Sequence, residues 1–217
     1  MNGKLIVIDG IDGAGKTTQI ELLKEYLASQ DQALELIDFP RYEDNLYGKL
    51  VKRYLDGEFG DINQTNPYLL ALAYAGDRAL AKPEIENWLN EGSVVIANRY
   101  VSASKAHLGA NLAENERENF MEWIYQLEYQ TNGIPKPDLN IFLNIDPKIG
   151  QQNVKVKHNP DMHEKNIEHE EMANKIYLEL TQAEENWVVV NCMIGDKMRP
   201  KEDIHKEIIV ILNDNNK

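Results

Sequence analysis

Leu5-Ile6-Val7-Ile8-Asp9-Gly10-Ile11-Asp12-Gly13-Ala14-Gly15-Lys16-Thr17-Thr18 decides the fold. An apolar run of strand length enters a glycine-rich turn, and Gln19 to Ser29 then continues with helical spacing. The turn matches G-x-x-x-x-G-K-[ST], a phosphate-binding loop (P-loop), in the strand–turn–helix context that the motif needs. Glycines let the backbone curl until successive N–H groups face one anion. The helix start adds unpaired donors and a partial positive charge. Gly10, Asp12, Gly13, Ala14, Gly15, Lys16, Thr17 and Thr18 are therefore expected to hold a nucleoside triphosphate. Lys16 reaches the β- and γ-phosphates as a point charge, and Thr17 offers a hydroxyl to Mg²⁺, a hard cation that prefers oxygen. The loop does not say what receives the phosphate.

The 217 residues suit a single domain, 1–217, long enough to bury a core. The net charge of −13 repels polyanions, so neither a nucleic acid nor an anionic membrane is an expected partner. A small phosphorylated substrate remains compatible, because local arginines can outweigh the global field. The one cysteine, Cys192, excludes an intramolecular disulfide and reads as a buried structural thiol. The first apolar run is too short for a signal peptide and no run reaches membrane-span length, so a cytoplasmic location is expected.

Apolar runs at Lys4–Asp9, Ala33–Asp38, Ser93–Ala97, Leu139–Ile145 and Trp187–Asn191 alternate with longer amphipathic stretches. That pattern predicts an α/β fold: a doubly wound, five-stranded parallel sheet surrounded by helices. Helices are expected at Gly15–Gln30, Leu46–Leu55, Glu114–Thr131, Glu164–Glu185 and Lys201–Leu212. Another starts at Asn66-Pro67, kinks or restarts at Pro83 and ends before Gly92. Residues 153–165, with little periodicity, read as a mobile loop, as do Gly57–Asn66 and Cys192–Pro200. Ligands of such sheets bind past the carboxyl ends of the strands. Past the second strand stands Phe39-Pro40-Arg41-Tyr42, and past the third Asn98-Arg99-Tyr100. Two arginines facing a phosphate loop are what a second phosphate group requires.

These segments, with Tyr74-Ala75-Gly76-Asp77-Arg78 and Pro135-Lys136-Pro137-Asp138-Leu139, form an ordered set that resembles the thymidylate kinase family from Leu5 to Val190. The resemblance implies a P-loop kinase with a short lid near 153–165, which transfers the γ-phosphoryl of ATP to dTMP with Mg²⁺. It implies that dTMP is bound by Asp12, Phe39, Pro40, Arg41, Tyr42, Tyr74, Arg78, Arg99, Tyr100, Ser104 and His107. Within that set Asp12 contacts the sugar hydroxyl, Tyr74 stacks on thymine, Arg78 meets the base edge, and Arg41 and Arg99 hold the acceptor phosphate. Catalysis falls to Lys16, Arg41, Arg99 and the lid lysines Lys155 and Lys157, and the metal to Thr17 and Asn98. The family is usually a homodimer built through helices, for which the apolar faces at Leu46–Leu55 and Asn66–Leu80 are candidates.

The sequence departs from the family at three places. Asn98 stands where aspartate is usual, Gly13 where some members have a catalytic arginine, and Met162 where the lid often has one. Lysine can neutralise charge there but cannot make arginine's bidentate contact. Residue by residue, plainer readings stay open: Tyr74 as a core aromatic, His107 as a structural histidine, Lys155 and Lys157 as a solvated face. Two alternative functions follow. One is a kinase for another nucleoside monophosphate or a deoxynucleoside; the other is a nucleotide-binding protein with little turnover because of Asn98.

Overall fold

β1 (Lys4–Asp9) lies at the centre of the sheet because both of its faces are apolar. Side chains alternate across a strand. Leu5 and Val7 therefore enter one core with Ile37, Tyr54, Leu70, Ile85, Val95 and Phe120. Ile6 and Ile8 enter the other with Leu23, Ile141, Phe142, Ile176, Tyr177 and Ile204. The computed structural model describes residues 3–61, 64–157, 163–164 and 166–215, with only the backbone of residue 157. β2 (Leu34–Asp38), β3 (Val94–Asn98), β4 (Leu139–Asn144) and β5 (Trp187–Asn191) complete a five-stranded sheet in the order β2-β3-β1-β4-β5. Every pairing in it is parallel, as the continuous apolar runs predict.

The sheet is covered by α1 (Lys16–Ser29), α2 (Leu46–Leu55), α3 (Pro67–Asn90), α4 (Val101–Gly109), α5 (Glu114–Tyr125), α6 (Pro147–Lys157), α7 (Ile167–Ala183) and α8 (Lys201–Asp214). Asn45 and Asn66 cap α2 and α3 through their side-chain oxygens, with Pro67 in the first turn of α3.

Several expectations need correction. α3 passes Pro83 unbroken. Ala81 and Ile85 are buried on either side of it while Pro83 itself faces water, so packing outweighs one lost hydrogen bond. α4 escapes a periodicity reading because eight of its nine residues are buried, leaving no polar face to mark a helix. α6 begins at Pro147, with Asp146 accepting from the Lys148 N–H at 2.8 Å, and absorbs the first third of the expected loop at 153–165. Residues 158–162 and 165, including Asp161 and Met162, lie outside the described residues. The loop after Cys192 contains a small antiparallel hairpin, β6 (Met193–Ile194) with β7 (Lys197–Met198). The helix expected over Glu114–Thr131 changes register at Gln126, and Gln126–Thr131 is a π-helical turn. Among the described residues no helix is long and apolar enough to cross a membrane.

Cys192 is fully buried, as its sequence context predicts. Burial pushes its thiol up to about 12. A thiol that neither ionises nor meets solvent is inert. A disulfide reagent should therefore label no cysteine in the native protein and one per chain in denaturant, read by absorbance. Fast labelling of the native protein would contradict this packing.

Candidate active site

The P-loop is shaped from both sides. Gly13 has φ +77°, and a Cβ there would lie 2.1 Å from the Gly150 carbonyl oxygen of α6. Asn153 on α6 donates to the Gly13 carbonyl at 3.0 Å. Position 13 must therefore be glycine in this packing, and an arginine there has no room. Lys16 is buried, and its Nζ donates to the carbonyls of Gly10 and Ile11, both at 2.9 Å. The Asp12 carboxylate stands 3.6 Å from the same ammonium. Burial, with the nearby charge of Arg99, pushes Lys16 down to about 8, and Asp12, Asp9 and Glu170 work in the opposite direction.

Arg99 follows β3 in a left-handed conformation, φ +66°, with its N–H bonded to the Ile8 carbonyl at 3.1 Å. That placement sends its guanidinium over the loop. Nη2 pairs with Asp12 Oδ1, and Nη1 donates to His107 Nε2 at 2.8 Å. Burial would raise the Asp12 carboxyl, but Arg99 and Lys16 outweigh it and hold the group well below the usual carboxylate range. Beneath the loop, the fully buried Asp9 accepts from Gly10 N–H, the Ser102 hydroxyl and the Tyr177 hydroxyl.

Two further arginines are held by buried acids. Asp77 on α3 takes the Arg41 backbone N–H at 2.8 Å and its Nε at 2.9 Å, while the Asp77 carbonyl takes Nη2 at 2.7 Å. Asn45 donates to the same carboxylate at 2.6 Å. Arg78, one residue on, is 2 % exposed and gives Nε and Nη2 to Glu128 Oε1, at 2.9 and 2.5 Å. Its Nη2 also reaches the Ser104 hydroxyl at 2.7 Å.

Of the eleven residues expected on the acceptor side, ten line one cavity of about 210 Å³, together with His163 and Glu164. Arg41 is the exception and stacks near the Phe39 ring, 5.8 Å from its centroid. The cavity thus joins a cationic group, Arg99, to aromatic walls from Phe39, Tyr74 and Tyr100.

The family model for thymidylate kinase matches residues 8–208. The chain belongs to the thymidylate kinase family. It is 30 % identical to the thymidylate kinase of Mycobacterium tuberculosis over 189 residues, covering 84 % of this chain and 87 % of that one. It is 33 % identical to a probable thymidylate kinase of Methanosphaera stadtmanae over 205 residues, 94 % of each. A solved thymidylate kinase from Candida albicans shares the fold, with TM-score 0.79 and 24 % identity over all of this chain and 94 % of that one.

Lys155 is exposed on α6 and donates to Gln151 Oε1 one turn back, at 3.1 Å. The Lys157 side chain lies outside the described residues. Thr17 is exposed at the start of α1, and Asn98 Oδ1 is buried without a hydrogen-bond partner. Sequence reasoning missed Glu128, Glu170 and His163. Nothing local marks Glu128, because the π-helical register turns it inward. Glu170 lies one turn into α7 and accepts from the Asp12 N–H at 3.3 Å. Burial, and then the charge of Asp12, pushes it up to about 8. His163 and His169 are pushed down by burial to about 3 and about 4.

Glu128 is fully buried and is the carboxylate that balances Arg78. Removing one partner of such a pair strands a charge and costs about 3–5 kcal/mol. Glu128→Ala should lower unfolding free energy by that amount in a urea titration. A loss below about 1 kcal/mol would show that Arg78 does not depend on it.

Proposed function

We propose that this chain transfers the γ-phosphoryl of ATP to dTMP, forming dTDP. The observation that carries the reading is the cavity beside the P-loop, in which Arg99 meets aromatic walls and the base-facing Arg78. A phosphate monoester is largely dianionic near neutral pH, so the acceptor is already nucleophilic and needs no strong base. The difficulty is to bring two polyanions into line, which makes catalysis a matter of position and charge.

The roles follow from the side chains. The loop N–H groups and Lys16 receive the triphosphate, and Lys16 exchanges the Gly10 and Ile11 carbonyls for phosphate oxygens. Arg99 and Arg41 receive the acceptor phosphate. Asp77 fixes Arg41 through three contacts, so little side-chain entropy is lost on binding. Arg78 presents donors to the base edge while Tyr74 and Phe39 provide stacking faces. Asp12, released from Arg99 as phosphate arrives, turns to the sugar hydroxyl. Lys155 and Lys157, at the end of α6, lead into the segment we assign as the lid.

The donor set fits Mg²⁺. Thr17 supplies a hydroxyl, and the partnerless Asn98 oxygen, at the end of the strand paired with Ile8, supplies a neutral ligand. When bound, the ion neutralises charge on the triphosphate and orients it. Exposed Leu46 and Leu50 on α2, with Leu69, Leu72 and Leu80 on α3, support the homodimer that the family suggests. A cytoplasmic location completes the proposal.

A coupled ADP assay with ATP and Mg²⁺ tests the reading across dTMP, dUMP, dCMP, dGMP, AMP and thymidine. Selective turnover of dTMP is expected, and Lys16→Ala should lower it at least about a hundredfold while keeping the fold. Preference for thymidine would make the chain a nucleoside kinase. Binding of dTMP with no dTDP formed would favour the nucleotide-binding alternative that Asn98 raises.

A further inference from the structure

Three histidines from separate parts of the chain meet at the wall of the cavity. His107 comes from α4, His163 from just before α7, and His169 from the first turn of α7. All three are buried, and their ring centroids lie 6.1, 5.6 and 4.4 Å apart. One ring nitrogen of each stands within 4.8 Å of the other two. Asn111 Oδ1 accepts from His169 Nδ1 at 3.0 Å, which leaves the lone pair on Nε2, and that buried atom has no hydrogen-bond partner. A buried lone pair of this kind costs free energy in a protein interior unless something meets it. We infer that His107, His163 and His169 form a binding site for one divalent transition-metal cation of the Zn²⁺ or Co²⁺ class.

The chemistry selects that class. Imidazole nitrogens suit zinc, cobalt, nickel and copper, whereas Mg²⁺ takes oxygen ligands, so this site is distinct from that of the ATP-bound metal. Metal–nitrogen bonds of about 2.1 Å put tetrahedral ligands about 3.4 Å apart. The widest pair therefore closes by about 1.4 Å, within reach of side-chain rotation. Asn111 on His169 is an outer contact of the kind that orients metal-binding imidazoles, and the Tyr54 hydroxyl stands 2.9 Å from His163 Nε2. His107 and His163 both line the cavity, so the fourth coordination position opens into it.

Charge imposes one condition. A neutral imidazole has a single lone pair, and on His107 it is the Nε2 pair that accepts from Arg99. The metal gains His107 when Arg99 turns away, so the guanidinium and the cation compete for one ring. Asp12, whose charge acts on all three histidines, is the nearby anion that offsets the added charge. The site stands whether or not the cavity accepts dTMP.

The test uses untagged, nucleotide-free protein, with Zn²⁺ followed by calorimetry and Co²⁺ by visible absorption. One Zn²⁺ per chain and a four-coordinate Co²⁺ spectrum are expected. His107→Ala and His169→Ala should each weaken binding at least about tenfold and abolish the spectrum. Asn111→Ala, outside the cluster, should weaken Zn²⁺ about tenfold or more and serves if a histidine variant does not fold. His205→Ala should change nothing, and Arg99→Ala should tighten binding by releasing His107. Absence of stoichiometric binding in the wild type would overturn the inference. So would binding that persists in folded His169→Ala, or that weakens in Arg99→Ala.

Discussion

The contact between Arg99 and Asp12 is the constraint on which the rest of the site depends. It ties the end of β3 to the P-loop, and it is reached only because Arg99 adopts a left-handed backbone and Gly13 lets the loop pack against α6. Asp12 also faces Lys16, so one carboxylate balances two cations that would otherwise repel each other. Arg41 with Asp77 and Arg78 with Glu128 repeat the device. In a chain of net charge −13, Lys16, Arg41, Arg78 and Arg99 are each paired with an acid before any ligand arrives.

This pre-pairing has a functional consequence. A buried cation without a partner is costly, and a carboxylate that takes up every donor of a cation leaves none for phosphate. In the proposed reaction Asp12 resolves the conflict by sitting where a phosphate can displace it from Lys16 or Arg99. Asp77 and Glu128 are buried more deeply than Asp12 and act as fixed supports. Arg41 and Arg78 are therefore positioned, whereas Lys16 and Arg99 are exchangeable.

Much of this was legible in the sequence. The parallel strands are continuous apolar runs, and the P-loop, Arg41 and Arg99 follow strands directly, so chain order alone carried them to one edge of the sheet. Tyr74 and Arg78 needed the family resemblance, since on a helix they read equally as core and surface. Glu128 was not legible because a π-helical turn changes which face it occupies. α4 lacked a polar face, and α6 was masked by a stretch of weak periodicity although Asp146-Pro147 marks its start. His163 and His169 meet His107 only through tertiary packing, which no local spacing encodes.

The central claim is that Arg41 and Arg99 recognise a phosphate already present on the acceptor. Calorimetric titration with dTMP and with thymidine measures that contribution directly. Two charge-assisted contacts of about 1.5 kcal/mol each predict that dTMP binds at least about a hundredfold more tightly, and that the gap narrows in Arg99→Ala. Equal affinity for the two ligands would contradict the account.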